Sequence, residues 1–307
     1  MAQVRHFLTI ADTPSELVRR MLHRAISLRT RPEPTLLARK TLLCLFEKPS
    51  LRTRVSFEQA MRKLGGDVMS MTGNEVGIGG RESPQDVARV VSSMVDGVMA
   101  RVMQHQTLEQ FANVSTVPII NGLSDYAHPA QALADALTII DEFSPGNIAG
   151  VKGRTIAFVG DGNNVARSLG VICAHLGMAF NICSPKGYEL EQEWVEKIRA
   201  LVPGCKIQIM DDPAEAVLHA DAIYCDTFVS MGQEGERAER MTAFKHFQVN
   251  DALLGQAPRH AIVLHCLPAH RGIEITDEAM DGPRSRVFQQ AKNRMDAQMG
   301  LLAELLG

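Results

Sequence analysis

The sequence predicts an α/β protein of two domains, each a parallel sheet flanked by helices, with a C-terminal helix packing back on the first domain. Length is the first reason: 307 residues suit two domains of about 150 residues, each able to bury its own core. The second is order, because short β-type runs alternate with amphipathic helical stretches, as crossover connections between parallel strands require. A turn-rich segment, Ser144-Pro145-Gly146-Asn147-Ile148-Ala149-Gly150, interrupts that alternation midway.

In the first half, strands are expected near residues 41–46, 68–71, 98–102 and 117–120. Between them lie helical stretches such as the one in which Phe57, Ala60, Met61 and Leu64 recur at helix spacing. Beyond the turn-rich segment, strands are expected near 155–159, 180–183, 205–209, 222–225 and 262–264. A long amphipathic helix from about 286 to 305 ends the chain. The expected domains are therefore residues 1–145, 146–285 and a returning helix, 286–307, with a ligand cleft where two domains meet. In open parallel sheets ligands sit beyond the carboxyl ends of strands, so motifs just after a strand carry the most weight.

Bulk composition excludes several classes of function. With 45% hydrophobic and 22% charged residues and a formal charge of −3, the chain has no general attraction to nucleic acid or anionic membrane. No apolar run approaches the roughly 20 residues that span a bilayer, and the polar start is too short for a signal peptide, so a cytoplasmic protein is expected. The six cysteines contain no C-x-x-C pair, and Cys173, Cys183, Cys205 and Cys225 sit in apolar stretches, which argues against a metal site and a disulfide framework.

The residues that carry chemistry cluster at expected strand ends and helix starts. After Phe46 comes Glu47-Lys48-Pro49-Ser50-Leu51-Arg52-Thr53-Arg54, where an amphipathic helix begins. A helix N-terminus presents unpaired N–H groups and partial positive charge, so Ser50, Arg52 and Thr53 suit an oxyanion or phosphate; Ser50 could equally be only a cap. Arg101 closes an apolar strand, as a ligand anchor or a buried ion-pair partner. In His128-Pro129-Ala130-Gln131, proline at the first helical position puts His128 and Gln131 at a helix entrance, able to hold a small planar carbonyl group or simply to cap the helix.

Gly160-Asp161-Gly162-Asn163-Asn164-Val165 superficially resembles a dinucleotide fingerprint, but Val165 takes the third glycine's place. The next strand also ends in Cys183-Ser184-Pro185, without the acid that holds a ribose. Asp226-Thr227-Phe228-Val229-Ser230-Met231-Gly232 places a carboxylate and a hydroxyl after another strand, suited to an amino group. In His265-Cys266-Leu267-Pro268 the thiol reads either as a nucleophile beside His265 or His270, or as a buried thiol before a turn proline.

In this order and spacing, Ser50-Leu51-Arg52-Thr53-Arg54, His128-Pro129-Ala130-Gln131, Asp226 with Ser230-Met231-Gly232, and His265-Cys266-Leu267-Pro268 resemble the ornithine carbamoyltransferase family, nearly end to end. The resemblance implies transfer of a carbamoyl group from carbamoyl phosphate to ornithine, giving citrulline and phosphate, in arginine metabolism and without a cofactor. It implies that carbamoyl phosphate binds to Ser50, the Leu51 main chain, Arg52, Thr53, Arg101, His128, Gln131 and Arg294, and that ornithine binds to Asn164, Asp226, Ser230 and Met231. Cys266 and Leu267 fall at the junction of the two substrates, with Arg52, Thr53, Arg101, His128 and Cys266 cast as catalytic. Family members are trimers or multiples of trimers.

Two positions depart from the family pattern: Leu51 stands where threonine is usual, and Gly77 where a glutamine serves a neighbouring subunit. Leucine at the first is also seen in relatives using acylated ornithine. Acetylornithine, succinylornithine or putrescine as acceptor, and a non-catalytic binding paralogue, are therefore the competing readings.

Overall fold

Thr41–Phe46 is a run of apolar and β-branched residues with no polar alternation, the pattern of a strand covered on both faces, and all but its first residue are buried. The computed structural model describes residues 5–78, 81–230 and 232–307. They divide into two units, residues 1–137 with 292–307, and residues 138–291.

The first unit runs α1 (Ser15–Thr30), β1 (Thr41–Phe46), α2 (Leu51–Lys63), β2 (Asp67–Thr72), α3 (Gly73–Val76), α4 (Pro84–Ser92), β3 (Gly97–Arg101), α5 (His105–Ala112), β4 (Ile119–Leu123) and α6 (Pro129–Phe143), the last continuing past the boundary. Its sheet is parallel, in the order β2-β1-β3-β4. Leu43, Leu45, Val98, Ala100, Phe111 and Ile119 form part of the core against the helices. Because Phe46 pairs with Arg101 across β1 and β3, the chain leaves both strands at the same edge, where the Ser50 segment and Arg101 must lie.

The second unit contains β5 (Thr155–Val159), α7 (Asn164–Leu176), β6 (Ala179–Cys183), α8 (Gln192–Leu201), β7 (Ile207–Met210), α9 (Pro213–Val217), β8 (Ala222–Cys225), α10 (Arg237–Ala243), α11 (Asp251–Gln256), β9 (Ile262–His265), α12 (Asp277–Asp281) and the start of α13 (Val287–Leu306). Its parallel order, β7-β6-β5-β8-β9, puts β5 and β8 side by side, so the turns after them are neighbours.

The last helix packs on the first unit, as the sequence predicts. Arg29 of α1 donates to Asp296 at 2.8 Å, and Arg20 to Glu304 at 2.9 Å. A Cβ at Gly300 would stand 2.1 Å from the Met21 carbonyl, so only glycine permits this close crossing.

Two strand boundaries differ from expectation. β4 begins at Ile119 instead of 117, since Pro118 has no N–H for the ladder and offers only its carbonyl, to Val98 N at 2.9 Å. β7 begins at Ile207 because Cys205 N is used in a turn to Val202 O.

Candidate active site

Ser50 is the N-cap of α2: its Oγ accepts from Thr53 N at 3.3 Å and donates to Thr53 Oγ1 at 3.0 Å. Capping therefore shapes the turn and turns the Thr53 hydroxyl into the protein. There Arg294, from α13, donates Nη2 to Thr53 Oγ1 at 2.8 Å and Nη1 to Gln131 Oε1. Gln131 passes the link on through Nε2 to Asp135 Oδ1 at 2.7 Å. Thr53, Gln131, Asp135 and Arg294 are all at most 2% exposed, so one guanidinium ties the starts of α2 and α6 together where water cannot compete.

His128 stands at the α6 entrance, its carbonyl accepting from Gln131 N and Ala132 N. Burial pushes its imidazole well below the usual value, and the positive charges of Arg294, Arg101 and Arg52 push the same way. His128 is thus neutral, a hydrogen-bond donor within a field of three guanidiniums. Leu51 is 76% exposed at the first position of α2 and contributes main chain there.

A stability prediction follows from the depressed imidazole. Unfolding lets His128 take up a proton near pH 6.5, so its contribution is complete above that pH and is lost as pH falls toward the lower folded value. His128→Gln should flatten the acid-side dependence of unfolding free energy by up to about 1.4 kcal/mol per pH unit. Denaturant titrations between pH 5 and 7 on both proteins measure it; parallel slopes would refute a neutral buried His128.

In the second unit, Asp226 follows β8 and accepts three hydrogen bonds: from Thr227 N at 2.7 Å, Asn163 Nδ2 at 2.8 Å and Cys266 Sγ at 2.9 Å. Of the two asparagines, Asn163 caps α7 and holds this carboxylate, while Asn164 opens the helix. The thiol is the donor in its bond to this carboxylate. His265 is committed elsewhere: its Nδ1 accepts from Leu267 N at 2.8 Å, leaving Nε2–H for Glu274 Oε1 at 3.3 Å. His270 bonds Thr227 Oγ1 at 2.9 Å. The two imidazoles thus bond to Leu267, Glu274 and Thr227, and the thiol to Asp226.

Ser230 N donates to Gln233 Oε1 at 3.0 Å; Met231 lies outside the described residues. The turn after β5 offers no pyrophosphate cradle. A Cβ at Gly162 would meet the Leu190 backbone N at 2.3 Å, and the Asn163 side chain already takes the N–H groups of Val165 and Ala166. Gly162 makes room for the 188–190 chain where a dinucleotide fingerprint would approach its pyrophosphate.

Gly77 is in the left-handed region at φ 72°, closing α3, and a Cβ there would crowd Arg81 Cβ at 3.0 Å. The loop is wound so that a side chain at 77 is disfavoured, and Arg81 folds back on it, donating to Val76 O at 3.3 Å. Sequence reasoning missed the supporting residues Glu274 and Arg240, whose partners are brought together only by the fold.

The fold is that of a two-domain α/β protein in which one domain gathers guanidiniums around a buried imidazole and the other surrounds the Asp226 carboxylate with donors. Comparison with known proteins agrees. The carbamoyl-phosphate-binding domain of the aspartate/ornithine carbamoyltransferases matches residues 5–141, and their Asp/Orn-binding domain matches residues 152–305. The chain belongs to the aspartate/ornithine carbamoyltransferase family. It is 46% identical to the ornithine carbamoyltransferase of Methanopyrus kandleri, over 98% of this chain and 97% of the relative. To that of Anoxybacillus flavithermus it is 45% identical, over 98% and 96%. The solved ornithine carbamoyltransferase of Pyrococcus furiosus superposes with a TM-score of 0.92 at 42% identity, covering 99% of this chain and 97% of that one.

Proposed function

We propose that this chain is an ornithine carbamoyltransferase, converting carbamoyl phosphate and L-ornithine to L-citrulline and phosphate in arginine metabolism. The observation that carries the reading is the neutral His128 beside Gln131 and the guanidiniums of Arg52, Arg101 and Arg294. A carbamoyl phosphate needs that combination: cations for the phosphate and neutral donors for the carbonyl oxygen.

In this mechanism Ser50, the Leu51 main chain, Arg52, Thr53, Arg101 and Arg294 hold the phosphate end, and His128 and Gln131 the carbamoyl end. The ornithine side-chain amine, once deprotonated, attacks the carbamoyl carbon. Negative charge grows on the former carbonyl oxygen, where Arg52, Thr53 and His128 stabilise it; each such donor is worth about 3–4 kcal/mol. The C–O bond to phosphate then breaks, phosphate leaves with its electron pair into the guanidinium cluster, and the departing phosphate takes the remaining extra proton from the attacking nitrogen. Asp226, Ser230, Asn164 and Met231 hold the amino acid end of ornithine. Cys266, with Leu267 beside it, orients the amine without forming a bond to carbon, consistent with its hydrogen bond to Asp226.

A trimer, or a multiple of trimers, is part of the same proposal. Leu51, Val55, Met69 and Met94 of the first unit are 50–76% exposed, and Met69 lies on the edge strand β2, a surface that association would cover. A cytoplasmic location fits six unbridged cysteines; no helix among the described residues is long and apolar enough to cross a membrane.

Product formation with carbamoyl phosphate and, separately, ornithine, acetylornithine, succinylornithine and putrescine tests the reading. Ornithine is expected to give the highest kcat/KM. Preference for an acylated acceptor would keep the phosphate half and overturn the acceptor half, and no turnover with any acceptor would favour the binding paralogue.

A further inference from the structure

Arg240 belongs to the charged stretch Arg237-Ala238-Glu239-Arg240 of α10 and is only 6% exposed. Its Nη1 donates to Asp161 Oδ2 at 2.7 Å and to the Phe228 carbonyl at 3.2 Å, and its Nε donates to Glu236 Oε2 at 2.9 Å. The guanidinium carbon stands 4.8 Å from the centre of the Tyr188 ring. One buried cation thus pins three segments that are far apart in sequence: the turn after β5, the loop after β8, and the 188–190 chain that closes on Gly162.

Burying a guanidinium is costly unless several acceptors meet it in fixed geometry, and such a group then specifies one arrangement of the chains that supply them. Both ends of this clamp reach the Asp226 cluster. Phe228 lies two residues from Asp226 and two from Ser230. Asp161 O accepts from Asn163 N at 2.7 Å, and Asn163 in turn donates to Asp226. We propose that Arg240 is a positioning residue for the amino-acid acceptor. It sets the path of the 227–230 loop and the turn that presents Asn163 to Asp226. The inference rests on ornithine being the acceptor.

Arg240→Lys keeps the charge but cannot span Asp161, Glu236 and the Phe228 carbonyl at once; Arg240→Met keeps the stem and loses the charge. Steady-state kinetics should show kcat/KM for ornithine reduced about tenfold in Arg240→Lys and about 100-fold in Arg240→Met, chiefly through KM. The dissociation constant of inorganic phosphate should stay within about twofold. Because Arg240→Met can fail to fold, the lysine variant decides. An unchanged ornithine KM in Arg240→Lys, with only a lower melting temperature or a smaller active fraction, would reduce Arg240 to a structural residue and overturn the proposal. Wild-type protein that makes no citrulline would overturn the acceptor assignment, and this inference with it.

Discussion

Arg294→Met is expected to lower kcat/KM for carbamoyl phosphate by about 10²–10³-fold, equivalent to about 3–4 kcal/mol in the barrier. The side chain is 2% exposed and is shared between Thr53 Oγ1 and Gln131 Oε1. Methionine fills much of the volume but leaves both buried oxygens without their charged donor, and it removes one of the three cations around His128. Two effects then act together. Positive charge at the phosphate cradle falls, and the starts of α2 and α6 lose their common tether.

Weaker phosphate binding should accompany the kinetic loss, and titration of inorganic phosphate measures it. Arg294→Lys should recover only part of the rate, since an ammonium cannot present two parallel donors as the guanidinium fork does. Activity within about threefold of wild type in Arg294→Met would show that Thr53 and Gln131 are held without it and would remove Arg294 from the machinery.

What could be read from the sequence was local. The Ser50 segment follows an apolar run and opens an amphipathic helix, so strand end and cap are both encoded within about eight consecutive residues. His128-Pro129 is legible for the same reason: proline fixes the helix start, and His128 has to stand just before it. The two parallel sheets follow from alternation of element types, a pattern that survives errors of two residues at each strand.

What could not be read depends on partners distant in sequence. Asn163 and Asn164 are indistinguishable as residues; only the adjacency of β5 and β8 puts the former against Asp226, 63 positions away. Nothing near His265 reveals that its ring is spent on Leu267 N and Glu274, and without that fact the neighbouring thiol and imidazole suggest a nucleophile and base. Arg240 lies in a charged stretch that the sequence alone leaves unread, and its burial depends on Asp161 and Phe228, distant in sequence.

Asp226→Asn should be the most damaging single change in the acceptor half, lowering kcat/KM for ornithine by about 10³-fold. All three groups around this carboxylate donate to it: Thr227 N, Asn163 Nδ2 and Cys266 Sγ. An asparagine must turn its amide N–H₂ toward at least one of them, replacing an attraction with a clash of donors, and it removes the negative charge suited to an amino group. Cys266→Ser is milder, because a hydroxyl still donates to Asp226; about a tenfold loss is expected. In both variants the affinity for inorganic phosphate should stay within about twofold of wild type, since the guanidinium cluster is built from the other unit. A Cys266→Ser loss equal to that of Asp226→Asn, together with a carbamoylated Cys266 found by peptide mass in wild-type protein under turnover, would overturn the orienting role and require a covalent intermediate on sulfur. Ordered losses without a labelled cysteine leave the amine of ornithine as the sole nucleophile, held by a carboxylate that the fold has surrounded with donors.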